Sequence, residues 1–320
     1  MTEQDIESAE EYDHEEISTN KRISQIAWII IFAVVVFLLG FGGGYLKWGQ
    51  DETAELKEQR ETAQLYEQVN PVDGYTLPVS YGNLGPQLIE AGVIDYDAFM
   101  TVMASSGDPV SNTQIDILKK GSEEQVVITA ENAHFLLNFF WAVGLANNNS
   151  ILTEGPMVQY GDGQIEGFAS TGGWSIAKKP VTNLYASMNM IPLTPEQQAL
   201  VEEVATAVYR PCCNNHTLFP DCNHGMAMLG LLELMASKGA TADDMFEAAK
   251  YVNAYWFPQQ TLEIATYLRV NEDVDFANAD ARLVVGNSLS SASGARMVHE
   301  SLQSSGLLQA ALGQGGGCTN

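Results

Sequence analysis

Most of the residues that could bind a soft metal ion lie in one short stretch of the chain. The segment RPCCNNHTLFPDCNHGMAM, residues 210–228, holds three of the 4 cysteines, two of the 5 histidines and two of the 11 methionines. Thiolate and imidazole groups bind Zn(II), copper and iron, and a thioether adds a preference for Cu(I). We therefore predict a transition-metal site, zinc or copper, with the ligands Cys212, Cys213, His216, Cys222 and His224.

The spacing of these ligands suits one ion but matches no standard motif. The pattern C-x2-H-x5-C-x-H is compact enough to surround a single ion, yet it is not the spacing of a zinc finger. It also lacks the Cys-x-x-Cys-His motif of covalent haem attachment. Cys222 and His224 lie nearest to the start of the next predicted helix, which Asp221 or Asn223 is expected to cap.

Two other chemistries stay open for the same cysteines. In an oxidising compartment Cys222 could form a disulfide with Cys212 or Cys213 that only holds the loop, which would leave Cys318 as a partner for the remaining thiol. The thiols could also be redox-active, because the field at the start of a helix lowers a thiol pKa. A disulfide alone does not explain the two neighbouring histidines, which favours the metal site.

The segments around this loop are predicted to be helices. Thr194 caps a helix before the loop, and residues 225–239 form an almost wholly apolar, buried helix after it. Thr241 caps a third helix. We expect Met226 and Met228 to fill the core instead of binding copper, since methionine in a buried helix is usually a packing residue.

The fold class predicted for the whole chain is mainly α with minor β. The run QVVIT at 125–129 indicates a strand, Thr129 is expected to cap the buried helix that follows it, and ARLVVG at 281–286 indicates a second strand. The predicted organisation is a disordered acidic tail at 1–22, a transmembrane anchor at 23–48, an exposed helical stalk at 49–70, a helical globular region at 71–190, a helical Cys/His-loop region with a three-helix unit at 191–270, and a C-terminal region with a flexible tail at 271–320.

An uncharged segment near the N-terminus predicts a membrane anchor. Residues 26–46 contain no charge, and 21 residues of helix span about 30 Å, the thickness of a bilayer core. Lys21 and Arg22 precede the segment, so we predict a single-pass protein of the cell membrane whose C-terminal domain is extracytoplasmic. Gly40 and Gly44 have the spacing that lets two such helices pack as a homodimer.

The charge balance bears on the class of partner. Acidic residues outnumber basic ones 40 to 15, which gives a formal charge of −25. Binding to DNA or RNA requires Lys and Arg to replace counterions on the phosphates. We therefore predict that nucleic acid is not a partner.

A longer stretch around the cysteines also carries a resemblance to a known family. YRPCCNNHTLFPDCNHG is followed by LLELMASKGATADDMFEAAKYV, and residues 194–258 resemble the CcmH/CycL family of cytochrome c maturation proteins. In that family an Arg-Cys-x-x-Cys loop follows the first helix of a three-helix bundle. The resemblance implies a membrane-anchored periplasmic domain and a thiol–disulfide role. Here Cys212 and Cys213 are adjacent, so the Cys-x-x-Cys pair is absent, and two histidines are added.

These observations lead to one preferred function and two alternatives. We predict a membrane-anchored extracytoplasmic protein that binds zinc or copper through the Cys/His loop, with a structural or metal-handling role in place of enzymatic turnover. The first alternative is a thiol–disulfide oxidoreductase-like factor in cytochrome c or cuproprotein maturation. The second is an interaction module whose loop shapes a surface for an envelope protein partner.

Overall fold

The computed structural model describes residues 28, 30–38, 40, 56–57 and 59–308. Of these residues, 62% are helical and 7% lie in strands, so the protein is mainly helical with a small sheet. The chain divides into two compact units, Met1–Glu61 and Thr62–Asn320. The acidic tail predicted at 1–22 and the C-terminal tail from residue 309, which includes Cys318, lie outside the described residues.

The predicted membrane anchor is wrong. Among the residues that the structure describes, no helix is both long enough and apolar enough to cross a bilayer. Residues 28, 30–38 and 40 of the predicted span 26–46 are helical, and the others lie outside the described residues. A spanning helix needs about 20 consecutive apolar residues. The predictions of a transmembrane fold, a single-pass cell-membrane localisation and an extracytoplasmic C-terminal domain are corrected accordingly.

The second unit contains one antiparallel hairpin and a series of helices. Strands β1 (Tyr75–Gly82) and β2 (Ser122–Ile128) pair antiparallel. Helical residues 62–69 form α1, and the helices that follow are α2 (Leu84–Ala91), α3 (Tyr96–Ser105), α4 (Asn112–Lys120), α5 (Ala133–Ala146), α6 (Ser150–Thr153), α7 (Pro156–Tyr160), α8 (Ala169–Gly172), α9 (Pro195–Ala207), α10 (Asn223–Ser237), α11 (Ala242–Trp256), α12 (Pro258–Glu272), α13 (Ala281–Val284), α14 (Asn287–Ser290) and α15 (Ala292–Ser304).

The predicted helical unit around the loop is present. Thr194 caps α9 and Thr241 caps α11, and each forms a capping box with the residue three positions later. Helices α9, α10, α11 and α12 follow one another, and the Cys/His loop lies between α9 and α10. The structure therefore has helices on both sides of the loop, in the order that the sequence predicts.

Helix α10 lies at the centre of the main core. Residues from His224 to Ala236 are all buried, and the helix packs along α5. The two backbones meet at glycines, since a Cβ added to Gly230 would lie 2.6 Å from both Phe140 O and Gly144 N. A side chain at either glycine would force the helices apart. This close approach fixes the position of α10 and of the loop that leads into it.

A second apolar cluster joins α1 to the C-terminal helices. Leu65 and Val69 of α1 are buried there with Leu262 and Leu268 of α12 and Val298 of α15. The stalk predicted at 49–70 was expected to be exposed. Its last turns are instead part of this cluster, because the apolar side chains four residues apart form one face of the helix.

Two local predictions are also wrong. Helix α5 begins after Asn132 instead of after Thr129, and the Asn132 side chain makes no capping hydrogen bond to the helix; Thr129 and Asn132 each accept the backbone N–H of the other, at 3.3 and 2.8 Å, in the turn before it. The segment ARLVVG contains the helix Ala281–Val284, whose cap Asp280 accepts from Arg282 N at 3.0 Å. At the second place a short polar side chain caps the start of the helix.

The middle of α10 carries a buried acid. Glu233 is fully buried, and its Oε2 accepts a hydrogen bond of 2.9 Å from Asn147 Nδ2. Its Oε1 has no hydrogen-bond partner among the described residues. Burial raises the pKa of Glu233 to about 8, although the hydrogen bond from Asn147 acts in the opposite direction.

This carboxyl group should make the protein less stable in alkali. The folded state retains the proton up to about pH 8, whereas the unfolded chain loses it near pH 4.5. The contribution of Glu233 to stability is therefore greatest below about pH 4.5 and is lost as the pH rises through about 8. Between these two values the free energy of unfolding falls by roughly 1.4 kcal/mol for each pH unit. Glu233→Gln should flatten the pH dependence of the free energy of unfolding between pH 5 and pH 9.

Denaturant unfolding at several pH values measures this effect. Glu203→Gln on the exposed face of α9 is the matched control and should leave the wild-type profile unchanged. An equally steep profile in Glu233→Gln would show that another group is responsible.

Candidate metal centre

The loop between α9 and α10 is held from several sides by backbone hydrogen bonds. Tyr209 pairs with His216 in an antiparallel bridge within the loop. Tyr209 N donates to Val285 O at 2.8 Å, and Ala292 N, at the start of α15, donates to Cys213 O at 2.8 Å. Asn253 Nδ2 of α11 donates to Tyr209 O at 2.9 Å. Elements from far along the chain thus position the cysteines.

Arg210 organises the interior of the loop. Its side chain is 2% exposed, and its guanidinium donates to four acceptors: Cys222 Sγ at 3.1 Å, Asn215 O at 2.9 Å, Phe219 O at 3.1 Å and Asp221 Oδ1 at 2.6 Å. The planar fork of arginine allows one side chain to bind several acceptors in different directions. The loop therefore wraps around a single buried cation.

Asp221 completes this arrangement as the counter-ion of Arg210. Asn215 Nδ2 donates to Asp221 Oδ2 at 2.8 Å, so both carboxylate oxygens have a partner. Burial raises the pKa of Asp221, and the charge of Arg210 opposes that shift. The sequence suggested Asp221 as a cap of α10. Asp221 does not cap this helix, because its carboxylate accepts hydrogen bonds from Arg210 and Asn215.

Cys222 is the N-cap of α10. Its Sγ accepts from Gly225 N at 3.4 Å and from Arg210 Nε at 3.1 Å. The Oδ1 of Asn223, the other predicted cap, instead accepts a hydrogen bond of 2.9 Å from His224 N. The Cys222 sulfur is therefore aimed at the positive end of the helix, where a thiolate is stabilised.

The structure brings three of the five predicted ligands together. The donor atoms of Cys212, Cys222 and His224 all lie within 4.8 Å of one another, and this group could hold a metal ion. Cys212 Sγ and Cys222 Sγ are 3.6 Å apart. The two cysteines are half-buried and His224 is buried. The site thus lies at the boundary between the loop and the core.

His224 is placed by aromatic rings of the core. Its ring centroid is 4.4 Å from that of Phe257 and 5.7 Å from that of Trp256, at the end of α11. Trp256 Nε1 donates to Ala133 O at 3.1 Å, which fixes the indole. A histidine enclosed in this way has few alternative rotamers, so its ring is already oriented toward the cysteines.

The other two predicted ligands lie elsewhere in the loop. Cys213 forms a second group with Cys222 and Asp221, whose donor atoms also lie within 4.8 Å of one another. His216 belongs to neither group in the part of the chain that the structure describes. Its ring instead contacts Tyr209 edge to face at 5.7 Å, and burial, followed by the charge of Arg210, lowers the His216 pKa.

The thiols differ in acidity. Hydrogen bonds from Cys212 and then Cys213, together with the charge of Arg210, lower the pKa of Cys222 well below its usual range, although burial opposes the shift. For Cys213 the largest effect is a hydrogen bond with Cys212 that lowers the pKa, but the hydrogen bond to Cys222 and burial together raise it to about 11. The pKa shifts of Cys222 and Cys213 therefore run in opposite directions.

Sequence reasoning missed the residues that build the loop. Arg210 was noted only as part of the family resemblance, and Asn215 was not considered. The signal was present, since Arg210 is one of only 15 basic residues in the chain and lies two residues before the pair of cysteines. The contact from Ala292 had no signal, because it joins segments about eighty residues apart.

Gly225 makes room for the Arg210 side chain. A Cβ added at Gly225 would lie 2.5 Å from both Arg210 Cζ and one of its terminal nitrogens. Gly225→Ala should therefore displace the guanidinium from the loop, lower the free energy of unfolding by about 1–3 kcal/mol and weaken metal binding.

Thermal unfolding and metal titration of the reduced protein test this expectation. Gly167→Ala is the matched control, because nothing lies within 4 Å of a Cβ added there, and it should behave as wild type. Unchanged stability in Gly225→Ala would show that the loop does not depend on this arginine position.

Comparisons with known proteins returned no relative. No protein-family model matches the chain, and neither a curated protein nor a solved structure is similar to it. The resemblance to the CcmH/CycL family stays a prediction from the residues alone.

Proposed function

We propose that this protein binds one transition metal ion, zinc in preference to copper, through Cys212, Cys222 and His224. The observation that carries the proposal is the convergence of their three donor atoms within 4.8 Å. Two thiolates at about 2.3 Å from a tetrahedral Zn(II) lie about 3.8 Å apart. The 3.6 Å between Cys212 Sγ and Cys222 Sγ is close to that spacing.

The surroundings of Cys222 favour a metal-bound thiolate. A metal-bound thiolate is stabilised by hydrogen bonds from outer-shell donors, and these donors also fix its direction. The Cys222 sulfur accepts such bonds from Arg210 Nε and Gly225 N. Because Asp221 neutralises Arg210, two thiolates and one divalent ion make a neutral buried centre, whereas Cu(I) would leave a negative charge.

The methionines support zinc over copper. Met226 and Met228 are both buried in the hydrophobic core cluster around α10. A thioether ligand would favour Cu(I), but these side chains pack with apolar residues. Their role as core residues agrees with the expectation from the sequence.

The second group, with Cys213, is the weaker candidate for the metal site, because Asp221 would have to leave Arg210 and Asn215 to bind an ion.

Three protein ligands, Cys212, Cys222 and His224, leave the fourth position of a tetrahedral ion open. A closed structural zinc site has four protein ligands, whereas an open position accepts water or a donor from another molecule. We therefore favour metal handling, in which the ion is exchanged, over a purely structural role.

The alternative function is a thiol–disulfide oxidoreductase-like factor in cytochrome c or cuproprotein maturation. The specific observation in its favour is the short distance between two half-buried thiols, one of which has a lowered pKa. Catalysis of exchange by the isolated, metal-free protein would favour this alternative.

Substitution of single ligands tests the metal site. Loss of an outer-shell partner weakens metal binding by roughly 10–100-fold. In the reduced full-length protein, Cys222→Ser and His224→Ala each remove a direct ligand, so each should weaken Zn(II) binding by more than that factor. Cys213→Ser should retain stoichiometric zinc, and Met226→Leu should do so with little change in stability, since it nearly conserves volume.

Metal content by mass spectrometry and competition with a chromogenic chelator provide the readout, with circular dichroism to verify helix content. Wild-type protein that binds neither Zn(II) nor Cu(I) when fully reduced would refute the proposal. Loss of metal in Cys213→Ser alone would move the site to the second group.

A further inference from the structure

The two sulfur ligands of the proposed site are also placed to react with each other. Cys212 Sγ and Cys222 Sγ are 3.6 Å apart, and a disulfide requires about 2.05 Å. The movement needed is therefore about 1.5 Å, which rotation of side chains in a loop can supply. Cys213 is the other thiol near Cys222. Its Sγ contacts Asn215 O at 3.8 Å, so we take Cys212 as the disulfide partner of Cys222.

We infer that the metal site is redox-gated: oxidation joins Cys212 to Cys222 and releases the ion, and reduction restores the site. The inference rests on the proposed metal site and adds its regulation. A bound ion holds the two sulfurs about 3.8 Å apart, whereas a disulfide holds them at about 2.05 Å. The two states exclude each other, and oxidation removes two of the three ligands at once.

The chemistry balances with a small-molecule disulfide such as oxidised glutathione as the oxidant. The Cys222 thiolate attacks one glutathione sulfur, which forms a mixed disulfide and expels one glutathione thiolate. Cys212 is also a thiolate in the metal-bound site, so its sulfur attacks the Cys222 sulfur without losing a proton, and the Zn(II) ion passes to solvent. The Cys212–Cys222 bond forms and the second glutathione leaves as a thiolate. The two protein thiols are oxidised by two electrons, and glutathione disulfide is reduced.

The scaffold around the pair should survive this change. Arg210 still has the carbonyls of Asn215 and Phe219 and the carboxylate of Asp221 as acceptors when Cys222 is no longer a thiolate. His224 stays enclosed by Trp256 and Phe257. The loop is therefore held in place, so that reduction can restore the same site.

The test begins with the reduced full-length protein, in which zinc stoichiometry is measured first. Oxidised glutathione is then added in the presence of a chromogenic chelator. Zinc should appear in solution in step with the loss of two thiols per chain, and peptide mapping should find a Cys212–Cys222 disulfide. Reduction with dithiothreitol should restore zinc binding to its initial stoichiometry.

Two cysteine variants separate the steps. In Cys212→Ser, glutathione should remain attached to Cys222, because the thiol that expels it is missing; this readout does not require bound metal. Cys213→Ser should form the Cys212–Cys222 disulfide as wild type does. Circular dichroism confirms that each variant is folded.

The outcomes distinguish this inference from the proposed function. Reduced protein without zinc refutes both. Zinc that binds but stays bound during oxidation, or a disulfide that instead joins Cys213 to Cys222, refutes the redox gate and leaves the metal site intact.

Discussion

The buried guanidinium of Arg210 is the constraint on which the loop depends. A charge at this depth is tolerated only when its donors are satisfied and a counter-ion lies nearby. Asp221 supplies the charge, and two backbone carbonyls and the Cys222 sulfur supply the remaining acceptors. Because Arg210 lies at the start of the loop and its acceptors lie in the middle and at the end, satisfying Arg210 also closes the loop and brings Cys222 next to Cys212.

Helix α10 connects this loop to the core. Its first residues carry Cys222 and His224, and its middle is enclosed by α5 at the contact between Gly230 and Gly144. A helix buried on all sides cannot rotate or slide without opening cavities. The ligands at its start are therefore held by packing several turns away, which is how a half-exposed loop obtains a fixed geometry.

The parts of the structure that the sequence could predict are those governed by local interactions. Thr194 and Thr241 cap helices because a hydroxyl at that position satisfies nearby backbone N–H groups, and both predictions were correct. The donor atoms of Cys212, Cys222 and His224 lie together for a similar reason, since these residues are close in the chain. The separation of His216 from the ligand group could not be predicted, because the bridge to Tyr209 determines where its ring points. The anchor was predicted from an uncharged run of 21 residues, but no helix among the described residues is long and apolar enough to cross a bilayer.

Two electrostatic effects of different range would act on an ion at the proposed site. The formal charge of −25 attracts cations of any kind toward the protein, which raises their local concentration but does not discriminate among them. Arg210 and Asp221 cancel each other next to the ligands, so the local field comes mainly from the thiolates. Hard cations such as Mg²⁺ and Ca²⁺ prefer oxygen ligands, whereas sulfur and imidazole prefer zinc and copper. Selectivity therefore depends on the donor atoms of Cys212, Cys222 and His224, and the acidity of the chain contributes only to the rate of encounter.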